Sequence, residues 1–224
     1  MTDDKVIYFQ EIGPNDIDIA RYFGVKYIGT KENIGIGQAL LKLASGAKHE
    51  KILLLEHDWE LIEKTDITKK RINQALHLLD WGYDCVRLRH RSNPGFPHFS
   101  ERNYTSLEKA FAYHDPEIDL DYPHLLDAIH WCQEPDRIYK GKIGKQLCDE
   151  DLYYAASSRY GNFTNNPCMY RKDFYIKTVK PYVGKGIELE GKISYDWARA
   201  NYNVVQGDGL FTHFDPSKYG NKRS

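Results

Sequence analysis

Apolar and polar positions alternate in short, sharply bounded blocks along the chain. Val6-Ile7-Tyr8-Phe9 is an apolar run that ends in a polar loop, Gln10 to Asn15, and predicts a buried strand. Asp16 can cap a helix whose apolar positions are Ile17, Ile19, Ala20 and Phe23, with Gly24 closing it. Val25-Lys26-Tyr27-Ile28 predicts a second strand. Leu40, Leu41, Ala44 and Ala47 then recur at helical spacing within Gln38 to Ala47. Lys51 to Leu55 holds four consecutive aliphatics, the pattern of a strand buried on both faces in the middle of a parallel sheet. Strand, helix, strand, helix, strand is the rhythm of βαβ units.

Ile72, Ala75, Leu76 and Leu79 share one face of a helix expected over Asp66 to Leu79, with Gly82 after it. Asp84 to Arg91 alternates as a strand and sets Arg87, Arg89 and Arg91 on one side. Three guanidinium groups there suit a phosphate or an acidic sugar; a solvated edge strand would carry the same pattern. Ser92 to Tyr104, with Pro94, Gly95 and Pro97, reads as a long surface loop. Residues 114–145 show no clear period. Asp149-Glu150-Asp151 reads as the acidic start of a helix over Glu150 to Ser158. A further helix fits Ile193 to Asn201, followed by short strands at Val204-Val205 and Leu210-Phe211-Thr212.

Composition narrows the class. With 224 residues, one elaborated α/β domain spanning 1–224 is the natural size. Lys plus Arg is 31 and Asp plus Glu is 32, a formal charge of −1, which argues against a nonspecific nucleic-acid binder. No apolar run approaches the length of a membrane span, and nothing at the start resembles a signal peptide. The expectation is a cytoplasmic protein, for which docking at a membrane surface stays open. Cys85, Cys132, Cys148 and Cys168 are widely spaced with no C-x-x-C, so reduced thiols are expected rather than a zinc ribbon or a disulfide framework. Asn103-Tyr104-Thr105 and Asn162-Phe163-Thr164 match the glycosylation pattern, by chance on this reading.

The sharpest chemical feature is Ile52-Leu53-Leu54-Leu55-Glu56-His57-Asp58-Trp59, an aliphatic strand delivering an acid-His-acid triplet at its carboxyl end. Ligands of open α/β sheets bind at that end. Glu56 and Asp58 are two apart, so an extended backbone would point both the same way. Converging carboxylates beside a buried strand call for a cation, and hard oxygen donors facing a diphosphate suit Mg²⁺ or Mn²⁺.

The stretch from Asn33-Ile34-Gly35-Ile36-Gly37 through the Ala-rich helix to Glu56-His57-Asp58 resembles the nucleotide-sugar glycosyltransferases of the GT-A fold, in particular family 2. Glu56-His57-Asp58 stands where that family carries an Asp-x-Asp motif, which implies that Asp58 holds the metal on the donor diphosphate, with Glu56 beside it. Tyr8 to Asp16 is similar to the family's nucleotide-contacting loop, with Gln10 or Glu11 in place of its aspartate. Asn165-Asn166-Pro167-Cys168-Met169-Tyr170-Arg171 resembles the segment lining the donor sugar. Ile187-Glu188-Leu189-Glu190 and the helix after it resemble the acidic motif that supplies the catalytic base. Gly209-Leu210-Phe211-Thr212-His213 is similar to the ending of relatives whose last His completes the metal site. The family opens with one more apolar strand; only Met1 to Lys5 precede Val6 here.

The resemblance implies an α/β, GT-A-like, Rossmann-like fold: a mainly parallel sheet flanked by helices, with a smaller mixed acceptor-side region. Residues 1–91 would form the nucleotide-sugar-binding half, and 92–224 the acceptor-side half and closing elements. It implies a hexosyltransferase-type enzyme that moves a sugar from a nucleoside-diphosphate sugar, such as a UDP-sugar, to a glycan or other hydroxyl acceptor, with inversion. The metal ligands would be Asp58, His213 and Glu56, holding Mn²⁺ or Mg²⁺. Donor contacts would come from Gln10, Glu11, Asn33, Gly35, His57 and Asn166, and the base would be Glu190 or Glu188. Two other readings share the motifs: a sugar-phosphate nucleotidyltransferase, and a non-catalytic nucleotide- or carbohydrate-binding domain.

Overall fold

The computed structural model describes residues 4–95, 128–131, 134–184 and 189–214. Two compact units are built from interleaved stretches of chain: Met1–Ile52 with Tyr170–Ile193, and Leu53–Met169 with Ser194–Ser224.

In unit 1, β1 (Val6–Phe9), α1 (Pro14–Tyr22) and β2 (Lys26–Gly29) form the expected βαβ unit. β1 and β2 run parallel, with Val6 opposite Lys26 and Phe9 opposite Gly29. Pro14 pre-sets the first turn of α1, and Asp16 returns its carboxylate to the Gly13 N–H at 2.9 Å. α2 (Ile36–Gly46) buries Ala39, Leu40 and Ala44 on one side, the face marked by its apolar spacing. β3 (Lys51–Leu54) follows α2. Later chain adds α6 (Lys172–Val179) to this unit, and the Lys172 ammonium caps the α2 carboxyl end through the Ala47 carbonyl at 3.0 Å.

Unit 2 contains β4 (Trp59–Leu61), α3 (Thr65–Asp80), β5 (Cys85–Arg89), α4 (Ala128–Trp131), α5 (Pro135–Ile138), β6 (Ile143–Cys148), β7 (Asp151–Ser157) and β9 (Asn203–His213). β8 (Cys168–Arg171) and α7 (Leu189–Ala200) contain the remaining divisions between the units. The main sheet has seven strands in the order β3-β8-β5-β9-β7-β6, with β4 paired to β9 off that path. Its core packs Ala75, Leu78 and Leu79 of α3 against Val86 and Leu88 of β5 and Val205 and Leu210 of β9. A second cluster joins Ala128 and Ile129 of α4 to Tyr139, Ile143, Ala156 and Tyr160.

This sheet overturns the expectation of a mainly parallel, Rossmann-like GT-A sheet. β5–β9 is parallel, but β4–β9, β6–β7 and β7–β9 run antiparallel, and the sheet as a whole is mostly antiparallel. The βαβ rhythm of the first fifty residues holds for β1 and β2, which form a separate two-stranded sheet. The direction of the main sheet is set by the later hairpin and by the long strand β9.

Three local expectations also change. Where a helix over Glu150 to Ser158 was expected, Asp151–Ser157 is the strand β7. Asp149 (φ 45°) and Glu150 (φ 71°) are both left-handed, and Cys148 pairs with Asp151. Two acids thus form the two-residue loop of a β6–β7 hairpin, a geometry usually signalled by Asn-Gly. The two short strands near the C-terminus are one strand, β9, whose register against β5 shifts between Arg87 and Arg89. Gly209 (φ 80°) sits at that irregularity, and a Cβ there would run into the Arg89 carbonyl. Third, β5 lies between β8 and β9, so its arginines are not on a solvated edge.

Candidate functional site

The strongest convergence of predicted residues lies in unit 2. β3 ends at Leu54, and Leu55 to Asp58 turn the chain into β4. β4 pairs antiparallel with the end of β9, placing Trp59 opposite His213. The Phe214 N–H donates to the Asp58 carbonyl at 2.7 Å, and the His213 N–H to the Pro94 carbonyl at 3.1 Å. Gly95 bridges to His213 with φ 75°, and a Cβ at this position would strike the His213 backbone. Three remote segments therefore meet at His213.

The side chains meet as well. His213 Nε2 lies 3.0 Å from Asp58 Oδ2, although 155 positions separate the residues. Both side chains are half-buried. Asp58 Oδ1 and His213 Nδ1 are shielded from solvent and have no hydrogen-bond partner among the described residues. A separation of 3.0 Å suits two adjacent ligands of one ion with bonds of about 2.1 Å at a right angle. These residues fit a divalent cation whose remaining positions a diphosphate and water would fill.

Glu56 does not complete the set. Among the described residues, no third carboxylate, imidazole or thiol forms a mutual 4.8 Å ligand group with Asp58 and His213. Because residues 57–58 turn, the same-side argument for positions two apart on a strand does not apply to Glu56 and Asp58. His57 is exposed in that turn. Asn166 lies half-buried before β8, its N–H donating to Thr164 Oγ1 at 3.1 Å.

Beside the Asp58–His213 pair lie the arginines whose placement the sequence left undecided. Arg87 is 3 % exposed and Arg89 5 %. The Arg89 guanidinium lies 5.1 Å from the centre of the Trp59 ring, which is 4.7 Å from the His213 ring. Arg89 Nε donates to the Pro94 carbonyl at 3.0 Å, the same carbonyl that receives the His213 N–H. Arg87 donates to the Asn162 carbonyl, and Arg91 stacks 4.3 Å from the centre of the Tyr154 ring. His130 of α4 is buried among them and pairs with the Gln206 side chain. Burial, then Arg89, Arg87 and Arg91, hold its pKa well below 6.5, so it is neutral at pH 7. His130 and Gln206 went unmarked in the sequence; a polar residue inside the apolar run Ala128-Ile129-His130 was the available signal.

The other predicted residues belong to unit 1. Gln10, Glu11, Asn33 and Gly35 gather at the carboxyl ends of β1 and β2. Gln10 Oε1 accepts the Ile34 N–H at 2.8 Å, and Asn33 Oδ1 accepts the Gly35 N–H at 2.8 Å. Gly35 (φ 84°) is the residue before α2, and Glu11 (φ 56°) makes the turn after β1. Glu190 is half-buried in the first turn of α7, while Glu188 lies outside the described residues.

The remaining expectations are placed quickly. Cys85, Cys148 and Cys168 are buried thiols outside any disulfide, and Cys132 lies outside the described residues. The Asn162 of one glycosylation pattern is 7 % exposed, with its side chain accepting the Phe163 N–H; Asn103 lies outside the described residues. Among the described residues, no helix is long and apolar enough to cross a membrane. No protein-family model and no curated protein matches the chain.

Proposed function

We propose that the protein is a metal-dependent glycosyltransferase that moves a sugar from a nucleoside-diphosphate sugar to a hydroxyl acceptor with inversion. The observation that carries this reading is the Asp58–His213 pair: a carboxylate and an imidazole brought together at 3.0 Å, each with a second buried atom that lacks a partner among the described residues. Bound there, Mn²⁺ or Mg²⁺ would neutralise charge growing on the leaving diphosphate. Trp59 fixes the His213 ring from one side, and the β4–β9 pairing fixes the backbones of both ligands. The guanidinium groups of Arg87, Arg89 and Arg91 are candidates to meet the anionic part of the substrate. Gln10, Glu11, Asn33, Gly35 and Glu190 belong to unit 1, and the resemblance alone makes the first four candidates for donor contacts and Glu190 a candidate for the base that accepts the acceptor hydroxyl's proton.

Calorimetry with Mn²⁺ and a panel of nucleoside diphosphates tests the reading. Wild-type protein should bind one of them only with the metal present, and Asp58→Ala should abolish that metal-dependent binding while the fold persists. Unchanged affinity in Asp58→Ala removes the metal assignment. Glu190→Gln should then lower donor hydrolysis or transfer by about 10²–10⁴ with donor affinity little changed, since a base acts on the transition state. Normal turnover in that variant excludes Glu190. Metal-dependent binding with no turnover of any matching sugar nucleotide would instead favour a non-catalytic binding domain.

A further inference from the structure

We propose a second metal site of different chemistry at His77, Cys148 and Asp149, taking a thiophilic ion of the Zn²⁺ class. It shares no residue with the Asp58–His213 pair and does not depend on the glycosyl-transfer reading. One ligand atom from each of the three side chains lies within 4.8 Å of the other two. Thiolate, imidazole and carboxylate together form a tetrahedral zinc set with one position left for water.

The chain builds this cluster from three pieces. His77 stands in the last turn of α3, Cys148 ends β6, and Asp149 opens the hairpin loop. Gln74 lies one turn before His77 on the same helix face and ties the helix to the hairpin. Its Nε2 donates to the Cys148 carbonyl and to Asp151 Oδ2, each at 2.9 Å, and its Oε1 accepts the Tyr153 hydroxyl at 2.8 Å. The Gln74 carbonyl faces Cys148 Sγ at 3.9 Å. Lys70 holds Asp151 at 2.8 Å, leaving Asp149 as the hairpin carboxylate next to the thiol. The register that sets Gln74 over the Cys148 backbone therefore sets His77 over its side chain.

Zinc ligands bonded at about 2.0–2.3 Å lie closer together than the 4.8 Å that bounds this cluster, and any adjustment falls to the side chains that can close in. His77 and Asp149 are exposed and can do so by side-chain rotation, whereas Cys148 is buried and fixed. The Asp149 and Asp151 carboxylates would supply counter-charge to a bound cation. The ion would act as a staple between α3 and the β6–β7 hairpin. The hard Asp58–His213 pair, with no sulfur, would prefer Mn²⁺ or Mg²⁺.

Co²⁺ added to the full-length, reduced protein is the probe. The expected result is one equivalent bound with a thiolate-to-cobalt charge-transfer band and tetrahedral d–d bands, both erased by Zn²⁺. Cys148→Ser should lose the charge-transfer band, and Asp58→Ala should keep it. His77→Ala, an exposed substitution that leaves the Gln74 bonds in place, should weaken binding more than about tenfold. Zn²⁺ should raise the melting temperature of wild type and not of Cys148→Ser. No thiolate band in wild type, or an unchanged band in Cys148→Ser, overturns the proposal. If Cys148→Ser does not fold, unchanged Co²⁺ affinity in His77→Ala overturns it alone.

Discussion

The two faces of β5 differ more than any other pair of surfaces in unit 2. Val86 and Leu88 point into the apolar core, against Leu78, Leu79, Val205 and Leu210. Arg87 and Arg89 point the other way, into an interior shared with His130, Gln206 and Trp59, and are nearly as buried. The apolar face removes hydrocarbon from water and stabilises the sheet. The arginine face takes charge out of water, which costs free energy by itself. One face specifies the fold, and the other sets Arg89 beside the Trp59 and His213 rings. The comparison predicts that substitutions on the two faces separate stability from binding.

The largest effect should come from the apolar face. Leu88 is 2 % exposed, and Leu88→Ala leaves a cavity between α3 and β9. A loss of about 2–5 kcal/mol is expected from the missing hydrocarbon and the incompletely filled space. Urea unfolding measures it. Metal-dependent nucleotide binding by the remaining folded protein should be unchanged. A stability loss below about 1 kcal/mol would mean that this face is not the structural one.

That division of labour was half legible in the sequence. Alternation from Asp84 to Arg91 gives the strand and separates Val86 and Leu88 from the arginines. It cannot say whether a strand is central or at an edge, because that depends on which remote segments pair with it. Here β8 and β9 flank β5, and both come from the last third of the chain. The hairpin was misread for a related reason. Asp149-Glu150-Asp151 satisfies the local rule for a helix start, yet pairing of Ile143 to Cys148 with Asp151 to Ala156 imposes positive φ on two acids. Gly207-Asp208-Gly209 looked like a break between strands and proved to be an irregularity inside one. β1 and β2 were legible because a βαβ unit is built from contiguous residues. The nearness of Asp58 and His213 had no local signal; it was expected only from the resemblance, and the β4–β9 pairing produces it.

A smaller, pH-dependent effect should arise at the junction of the arginine face with α4. His130 is buried and neutral when folded, with its pKa held well below the ordinary 6.5 by burial and by Arg89, Arg87 and Arg91. The unfolded chain regains a pKa near 6.5 and binds a proton that the folded protein refuses. Stability from this group is complete above pH 6.5 and is lost as pH falls below it, by up to about 1.4 kcal/mol per pH unit. Urea unfolding at pH 7.0 and 5.5 should show the decline, and His130→Gln should flatten it. An equal slope in the variant would place the acid sensitivity elsewhere.

The smallest stability change belongs to Arg91, and it is the most discriminating for the comparison. Arg91 is half-buried at the open end of the arginine face, with its guanidinium 4.3 Å from the centre of the Tyr154 ring. Arg91→Ala removes that cation–ring contact, which contributes about 0.5–1 kcal/mol, and lets solvent reach a charge-rich interior. Unfolding free energy should therefore drop by about 1 kcal/mol or less. Binding of a nucleoside diphosphate should fall by a larger factor and become less sensitive to added salt, because one screened attraction to the anion is gone. Arg91→Lys separates charge from shape: it restores the salt dependence but not the planar, forked geometry that fits phosphate oxygens. Titrations of the three proteins at low and high ionic strength read both effects. If Arg91→Ala binds as tightly as wild type at both salt concentrations, its charge has no part in ligand attraction. The functional boundary of the arginine face then moves inward to Arg89, whose guanidinium lies against Trp59 and shares the Pro94 carbonyl with His213.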